Sequence, residues 1–544
     1  MDIQFVETEP FEGQVPGTSG LRKKTRIFQQ PSYLENYVQA IFNTIDGVQG
    51  GTFVIGGDGR FFNDVAIGTI IRMAVANRVG KLIVGRSGLL STPAAAHMIR
   101  KSGAIGGFIL SASHNPAGID GDFGIKFNIA SGGPAPESMT TGFAEAASRI
   151  SRYATADVPN IDLNHTDSSQ DIGDTSLTIV DPVDDYLALM EELFDFAALR
   201  RLFSVGFTLR FDAMHAVTGP YAKRILEDEL GAPAGTVINR IPQPDFGGQH
   251  PDPNPVWARS LVDVMMSPQA PDMGAASDGD GDRNMIIGRG VCINPSDSLA
   301  ILAANAHLAP AYSDGIVGIA RSMPTSSACD RVAEKLGIRV YETPTGWKFF
   351  DNLLNSGRVS ICGEESAGTG SYHVREKDGL WAILLWLSIV AAREMSVTEI
   401  LHDHWRAFGR NYYSRYDFEN IPAQAAASLM DDLRSRLDRL AITPATNLRV
   451  TAADEFSYHD PVDSSVSTGQ GIRIFFANGA RAVFRLSGTG TTGATLRIYL
   501  ERYEPPDGNL HADSQTALEV LWKAVVEISC LQAHVNRIEP DVRV

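Results

Sequence analysis

Cysteine is scarce and unpaired in this sequence. Cys292, Cys329, Cys362 and Cys530 show no CxxC spacing, which excludes a disulfide scaffold or zinc ribbon and suits free thiols in a reducing compartment. Positive charge is short as well. Against 64 acidic residues stand 47 Lys and Arg, and the formal net charge of −17 argues against nucleic acid or an anionic membrane as partner. Long apolar runs are missing too. The longest, Leu380 to Ala392, falls well short of the roughly 20 residues of a membrane span and reads as a buried helix. The start, Met1-Asp2-Ile3-Gln4-Phe5 with Glu7, Glu9 and Glu12 beyond it, has no export signal, so a cytoplasmic protein is expected.

What remains is a soluble enzyme composition spread over 544 residues, too many for one core, so several domains are expected. The first two-thirds alternates short apolar strands with helical stretches, the pattern of layered α/β units. Thr52 to Ile55, Leu82 to Val84, Gly107 to Leu110 and Gly124 to Asn128 read as strands, with helices near Asn63 to Asn77 and Thr92 to Arg100. A polar stretch, Thr155 to Thr178, marks the end of the first unit. A second unit opens with a helix at Asp184 to Leu193. A third opens at Pro295, where Ser296 or Asp297 is expected to cap a helix through Ala306. Past Tyr412 the strands Gly471 to Phe476, Arg481 to Leu486 and Ala494 to Leu500 follow one another before a helix at Ser514 to Ser529. That order predicts an α+β unit with an antiparallel sheet. The expected boundaries are 1–181, 182–294, 295–411 and 412–544.

Two distant motifs carry the chemistry. Ser113 lies in Ser111-Ala112-Ser113-His114-Asn115-Pro116, at the end of an apolar strand on a turn fixed by Asn-Pro. Serine is a poor nucleophile near neutral pH unless a base, a metal or a pre-loaded phosphate assists it. Far downstream, Asp278, Asp280 and Asp282 alternate with glycines that let the backbone curl around an ion. An EF-hand would require Gly and Glu where Arg283 and Arg289 stand, so it fails. A hydroxyl that carries a phosphate and a three-carboxylate Mg²⁺ site are the two halves of a phosphoryl-transfer centre. A turn serine and a solvated acidic turn are the plainer readings.

Gly488 to Gly493 matches GxGxxG, but a strand pattern follows it rather than a helix, which rejects a dinucleotide site. Hydroxyls of Ser487, Thr489 and Thr491 between Arg485 and Arg497 suit a phosphate monoester, against a plain hairpin turn. Thr343 to Lys348 and Gly363 to Gly368 follow strands of the third unit, where open α/β sheets bind ligands. There Glu364 and Ser366 can read sugar hydroxyls, or Glu365 and Ser366 can cap a helix. Arg375 to Gly379 is either a solvated helix start or brings Lys377 to the phosphate.

Thr18 to Arg22, the Ser113 turn, Gly124 to Asn128, Asp245 to Asn254, Asp278 to Arg283, Gly363 to Ser366, Arg375 to Gly379 and Arg485 to Gly490 occur in that order. Together they resemble the α-D-phosphohexomutase superfamily, within it the long, eukaryotic-like phosphoglucomutase type. The resemblance implies three α/β domains with mixed sheets and a fourth with an antiparallel sheet, set around a central cleft. It implies a phosphoserine at Ser113 that shares Mg²⁺ with Asp278, Asp280 and Asp282. Arg22, Lys126, His114, Arg283 and Lys377 would line the transfer site beside Thr18 and Ser19, with the base open among His114, Lys126 and Lys377. Thr345, Gly346, Glu364 and Ser366 would hold sugar hydroxyls, and Arg485, Ser487, Gly488, Thr489, Gly490 and Arg497 the second phosphate. The implied reaction interconverts glucose 1-phosphate and glucose 6-phosphate through glucose 1,6-bisphosphate, in a monomer or weak homodimer acting on sugar phosphates. A mannose or glucosamine phosphate mutase, a metal-dependent phosphomonoesterase and a phosphoprotein scaffold are the alternatives. Ser111 and Ala367 depart from the usual Thr and Phe.

Overall fold

The computed structural model describes residues 2–166, 169–440, 448–487 and 493–544, with only the backbone at Ser487. Its first sheet has seven strands in the order Leu21–Lys24, Asp122–Ile129, Gly106–Leu110, Thr52–Gly57, Lys81–Leu89, Thr175–Val180 and Ser169–Ile172. The four from Gly106–Leu110 to Thr175–Val180 run parallel, and antiparallel strands flank them. Gly106–Leu110 is buried on both faces, the condition that apolar parallel strands require. The polar stretch near which the first unit was expected to end runs into the last two strands of its sheet. Hydrogen bonding to Lys81–Leu89 recruits Thr175–Val180, whose alternating burial keeps the pattern of a half-covered strand.

The second sheet orders Val237–Ile238, Leu209–Asp212, Met273–Ser277, Asn284–Gly288 and Val291–Cys292. The third orders Arg339–Thr343, Gly318–Ser322, Ile361–Gly363 and Thr369–Ser371. Both mix parallel and antiparallel neighbours. Between them runs the helix Gly379–Arg393, buried from Gly379 through Val390 and part of a core to which the first three units contribute. That matches the buried helix expected from its apolar run. Among the described residues no single helix is long and apolar enough to cross a membrane. The helix Pro295–Asn305 is capped by Asn294, whose side chain accepts from the Ser296 amide at 2.9 Å; Ser296 and Asp297 sit inside the first turn. Asn-Pro places the cap two residues earlier than the expected Ser296.

The last sheet is antiparallel throughout: Val450–Glu455, Ile472–Phe476, Arg481–Ser487, Ala494–Glu504, Arg410–Ile421 and Val542–Arg543. It has a core of its own against the helices Ala423–Ser435 and Ser514–Ser529. The strand Arg410–Ile421 and the helix Ala423–Ser435 were not foreseen.

Candidate active site

Ser113 follows the carboxyl end of Gly106–Leu110, in the middle of the first sheet. Its backbone is left-handed, with φ of 53°, and its side chain is 1% exposed. A non-glycine residue in that region needs surroundings that dictate it. Here the Ser113 amide donates to Ser111 Oγ at 2.7 Å, and that hydroxyl donates to Asp58 Oδ2 at 2.6 Å. Arg60, paired with Asp58 at 2.9 Å, donates to the Ser113 carbonyl at 2.8 Å. Ser111 therefore supplies the hydroxyl on which the turn is built, as a threonine would. A Cβ on Gly279 would lie 2.3 Å from the Ser113 carbonyl oxygen, so glycine is what lets the aspartate loop close onto the serine.

That loop, 278–283, joins two antiparallel strands whose last paired residues are Ser277 and Asn284. Ser113 Oγ donates to Asp278 Oδ2 at 2.7 Å, so two segments distant in sequence meet at one point. The ligand atoms of Asp278, Asp280 and Asp282 lie within 4.8 Å of one another, all buried. Asp278 Oδ1 accepts the Asp282 and Arg283 amides, at 3.0 and 3.1 Å. Asp280 Oδ2 accepts from Thr92 Oγ1 at 2.7 Å and from Lys126. Oδ1 of Asp280 and Oδ1 of Asp282 are buried with no protein partner. Burial, then Asp282 and Asp280, push Asp278 well above the usual carboxylate range. Burial raises Asp280 too, but Lys126 and the Thr92 hydroxyl outweigh it and hold Asp280 low. Three buried carboxylates with two unclaimed oxygens fit a hard divalent cation, which would let all three ionise together.

Cations ring the trio. Lys377 Nζ is 3.1 Å from Asp282, and Arg283 Nε is 3.9 Å from Asp278. Burial lowers the Lys377 ammonium, but Asp282 and Glu364 more than offset it, so it is held charged. Arg22, on the edge strand Leu21–Lys24, lines the same cleft with a buried Nε that has no partner. His114 Nδ1 is 3.4 Å from Ser113 Oγ. Burial and the surrounding Arg283, Arg22, Arg497 and Lys377 push its imidazole well below the usual value, so it stays neutral. Rather than a solvated helix start, residues 375–379 are largely buried: Glu376, Lys377 and Asp378 are at most 8% exposed.

The cleft has a volume of about 380 Å³. Thr18, Ser19, Thr345, Gly346, Glu364 and Ser366 line it. Glu364 Oε1 accepts the Gly346 amide at 2.9 Å, and a Cβ on Gly346, at φ of 124°, would meet Thr18 at 2.6 Å. The segment 363–368 is a turn between Ile361–Gly363 and Thr369–Ser371 rather than a helix start, which removes the capping role considered for Glu365 and Ser366. Arg497 also lines the cleft, 3.7 Å from Asp417. Arg485, one strand over, donates to the Tyr499 hydroxyl at 3.3 Å. Gly488, Thr489 and Gly490 fall outside the described residues, as does the Ser487 side chain. The segment after them is the strand Ala494–Glu504, as the rejection of a dinucleotide site required.

Sequence reasoning missed Asp58, Arg60, Thr92 and Arg415. Asp58 carried a signal, since Gly56-Gly57-Asp58-Gly59 ends a strand beside Ser113's. Arg415, which lines the cleft and pairs with Asp417 at 3.0 Å, carried none.

Models of the phosphoglucomutase/phosphomannomutase alpha/beta/alpha domains I, II and III match residues 13–154, 184–290 and 295–408. The phosphoglucomutase-1 C-terminal domain model matches residues 410–541. A phosphoglucomutase of Rhizobium radiobacter is 57% identical over 540 residues, covering 99% of both chains. Phosphoglucomutase-1 of Oryctolagus cuniculus is 49% identical over 558 residues, again covering 99% of both. The open-form crystal structure of pp63/parafusin, an exocytosis-sensitive phosphoprotein and phosphoglucomutase from Paramecium, superposes with a TM-score of 0.92. It shares 46% identity and covers 100% of this chain and 99% of that one.

Proposed function

The chain belongs to the phosphoglucomutase/phosphomannomutase family, and on that premise we propose how its residues interconvert glucose 1-phosphate and glucose 6-phosphate. The single observation that carries the reading is the Ser113 hydroxyl at 2.7 Å from Asp278, inside a ring of buried cations. Ser113 carries a phosphoryl group. A sugar hydroxyl attacks its phosphorus, the bond from phosphorus to Ser113 Oγ breaks, and the proton of the attacking hydroxyl passes to the released Ser113 oxygen by way of His114 as the new ester forms. The product is glucose 1,6-bisphosphate. It turns over in the cleft, and Ser113 Oγ then takes the other phosphoryl group.

Ser113, Asp278, Asp280 and Asp282 would hold Mg²⁺, which supplies positive charge to the phosphoryl oxygens. Lys377, kept charged by Asp282 and Glu364, meets the oxygen on which negative charge develops. Neutral His114, 3.4 Å from Ser113 Oγ, is placed to take and return the proton at that atom. Lys126 and Arg22 neutralise the charge of a doubly negative group around the trio. Thr345, Gly346, Glu364 and Ser366 bind the sugar hydroxyls. Arg485 and Arg497 grip the second phosphate, with Ser487, Gly488, Thr489 and Gly490, which lie between them in the sequence, as further donors to it. The same reading divides the chain at 181, 294 and 411, so that every unit brings at least one loop to the cleft and the third brings several. Closure of that cleft excludes water, which would otherwise hydrolyse the phosphoserine.

Intact mass before and after incubation with glucose 1,6-bisphosphate and Mg²⁺ tests this. The expected result is one added phosphoryl group on the Ser113 peptide, absent when a chelator removes the metal. A gain on another peptide, or phosphate released in step with sugar phosphate consumed, overturns the mutase route.

A further inference from the structure

Under the Lys377 turn lies a set of buried polar groups for which the transfer chemistry has no use. His373 Nε2 is 2.9 Å from Asp378 Oδ2, and its Nδ1 is 2.7 Å from Ser371 Oγ. Serine, histidine and aspartate in that order suggest a nucleophile. Burial refuses it. Ser371 and Asp378 are fully buried, His373 is 5% exposed, and the Ser371 hydroxyl already meets the Tyr312 hydroxyl at 2.6 Å. No substrate can reach that oxygen.

What the set does reach is the chain on either side of Lys377. Tyr186, from the helix Asp184–Leu193, donates to Asp378 Oδ1 at 2.6 Å, and the Trp381 amide donates to the same oxygen at 3.1 Å. Trp381 Nε1 donates to the Tyr312 hydroxyl at 3.0 Å, and its ring stacks on His373 at 5.1 Å. Each polar side-chain atom of Ser371, His373, Asp378, Tyr312 and Tyr186 thus has a partner. A fully satisfied buried network has one low-energy arrangement, so it dictates where its backbone runs. The backbone it dictates is joined to its own sheet and to the metal loop: the Asp378 amide donates to the Thr369 carbonyl of the strand Thr369–Ser371 at 2.8 Å, and the Gly379 amide to the Gly281 carbonyl of the metal loop at 3.0 Å. Lysine is a flexible side chain, and its charge is only as well placed as the Cα that bears it.

We propose that Asp378, His373, Ser371 and Tyr312 are positioning residues that fix Lys377 beside Asp282 for the transfer step. The inference rests on the role assigned to Lys377 above. Misplacing a group at a reacting centre by about 1 Å costs on the order of 100-fold in rate, while substrate binding by the distant arginines is untouched. The predicted signature is therefore a loss in kcat without a change in KM.

His373→Phe keeps the ring over Trp381 and removes both hydrogen bonds. Asp378→Asn keeps an acceptor for Tyr186 and the Trp381 amide and offers its NH₂ to the other histidine tautomer, whereas Asp378→Ala removes everything. Matched for folded fraction by circular dichroism, His373→Phe and Asp378→Ala are expected to lose about tenfold or more in kcat, with KM for glucose 1-phosphate within about twofold. Asp378→Asn is expected to keep about half of kcat or more, since geometry survives in it. Should His373→Phe not fold, Tyr186→Phe, lacking one hydroxyl, carries the test with a kcat loss of about threefold. Unchanged kcat per folded enzyme in His373→Phe and Tyr186→Phe, or an Asp378→Asn no better than Asp378→Ala, overturns the proposal. Lys377→Met is measured beside them. Normal kcat there overturns the role given to Lys377, whereas an inactive Lys377→Met with normal His373→Phe and Tyr186→Phe overturns only the network's.

Discussion

The two ends of the cleft are built differently. The serine end is assembled from three units, each held by buried contacts: Ser113 on Asp278, Lys126 and Thr92 on Asp280, and Lys377 on Asp282. The arginine end stands on a single antiparallel sheet with a separate core, joined to the third unit by a small apolar cluster, where Met323 and Phe349 meet Tyr413, Phe456 and Tyr499, and by ion pairs. Glu342 gathers Arg321 at 2.8 Å, Arg473 at 2.6 Å and Arg481 at 3.3 Å, and Glu501 accepts from the Ser327 hydroxyl at 2.7 Å. Bond making needs atoms fixed to fractions of an ångström, whereas a clamp that must accept either phosphate of a turning bisphosphate needs charge and reach. Packing serves the first, and ion pairs on a separately packed body serve the second.

Substitutions at the two ends should separate accordingly, and they break the comparison if they do not. Ser113→Ala should lower turnover by on the order of 10⁴-fold or more with an unchanged melting curve, because nothing else at that end can carry the phosphoryl group. Near-normal mutase activity in a coupled assay would refute the route. Arg497→Ala should raise KM by about 10- to 100-fold, the worth of one charge-assisted contact to phosphate, and leave kcat within severalfold. A loss confined to kcat would show that the arginine end also takes part in chemistry. Glu342→Gln lies outside the cleft and should raise KM about threefold by loosening the seat of the clamp, read from the same kinetics.

The smallest effect concerns pH at the seam between the bodies. Burial raises Asp297 to about 6, although Arg410 and a hydrogen bond from Trp405 Nε1 at 3.2 Å oppose the rise. Its folded value lies above the unfolded one, so the folded state holds its proton more tightly. The resulting stability is present below about pH 4 and is lost as pH rises towards about 6. Asp297→Asn, which imitates the protonated form, should flatten that part of the melting-temperature profile. A profile parallel to the parent's would contradict it.

Much of this was legible in the residues, for reasons that can be stated. The helices Asp184–Leu193 and Ser514–Ser529 appear where expected, because apolar spacing and an N-terminal acidic or hydroxyl residue are local signals. The aspartate loop was legible because its strands and glycines are contiguous. Thr175–Val180 was read as polar and Arg410–Ile421 not read at all, since each is a strand by virtue of distant neighbours. Asp58 and Arg60 act on Ser113 from another strand end, and no spacing within one segment announces that. Arg415 escaped for the same reason.

The left-handed backbone at residue 113 also restricts what evolution can place there. A β-branched side chain fits that conformation poorly, so threonine, the other alcohol that could accept phosphate, would strain the turn that aims it at Asp278. The position thereby excludes its nearest chemical substitute by shape rather than by reactivity.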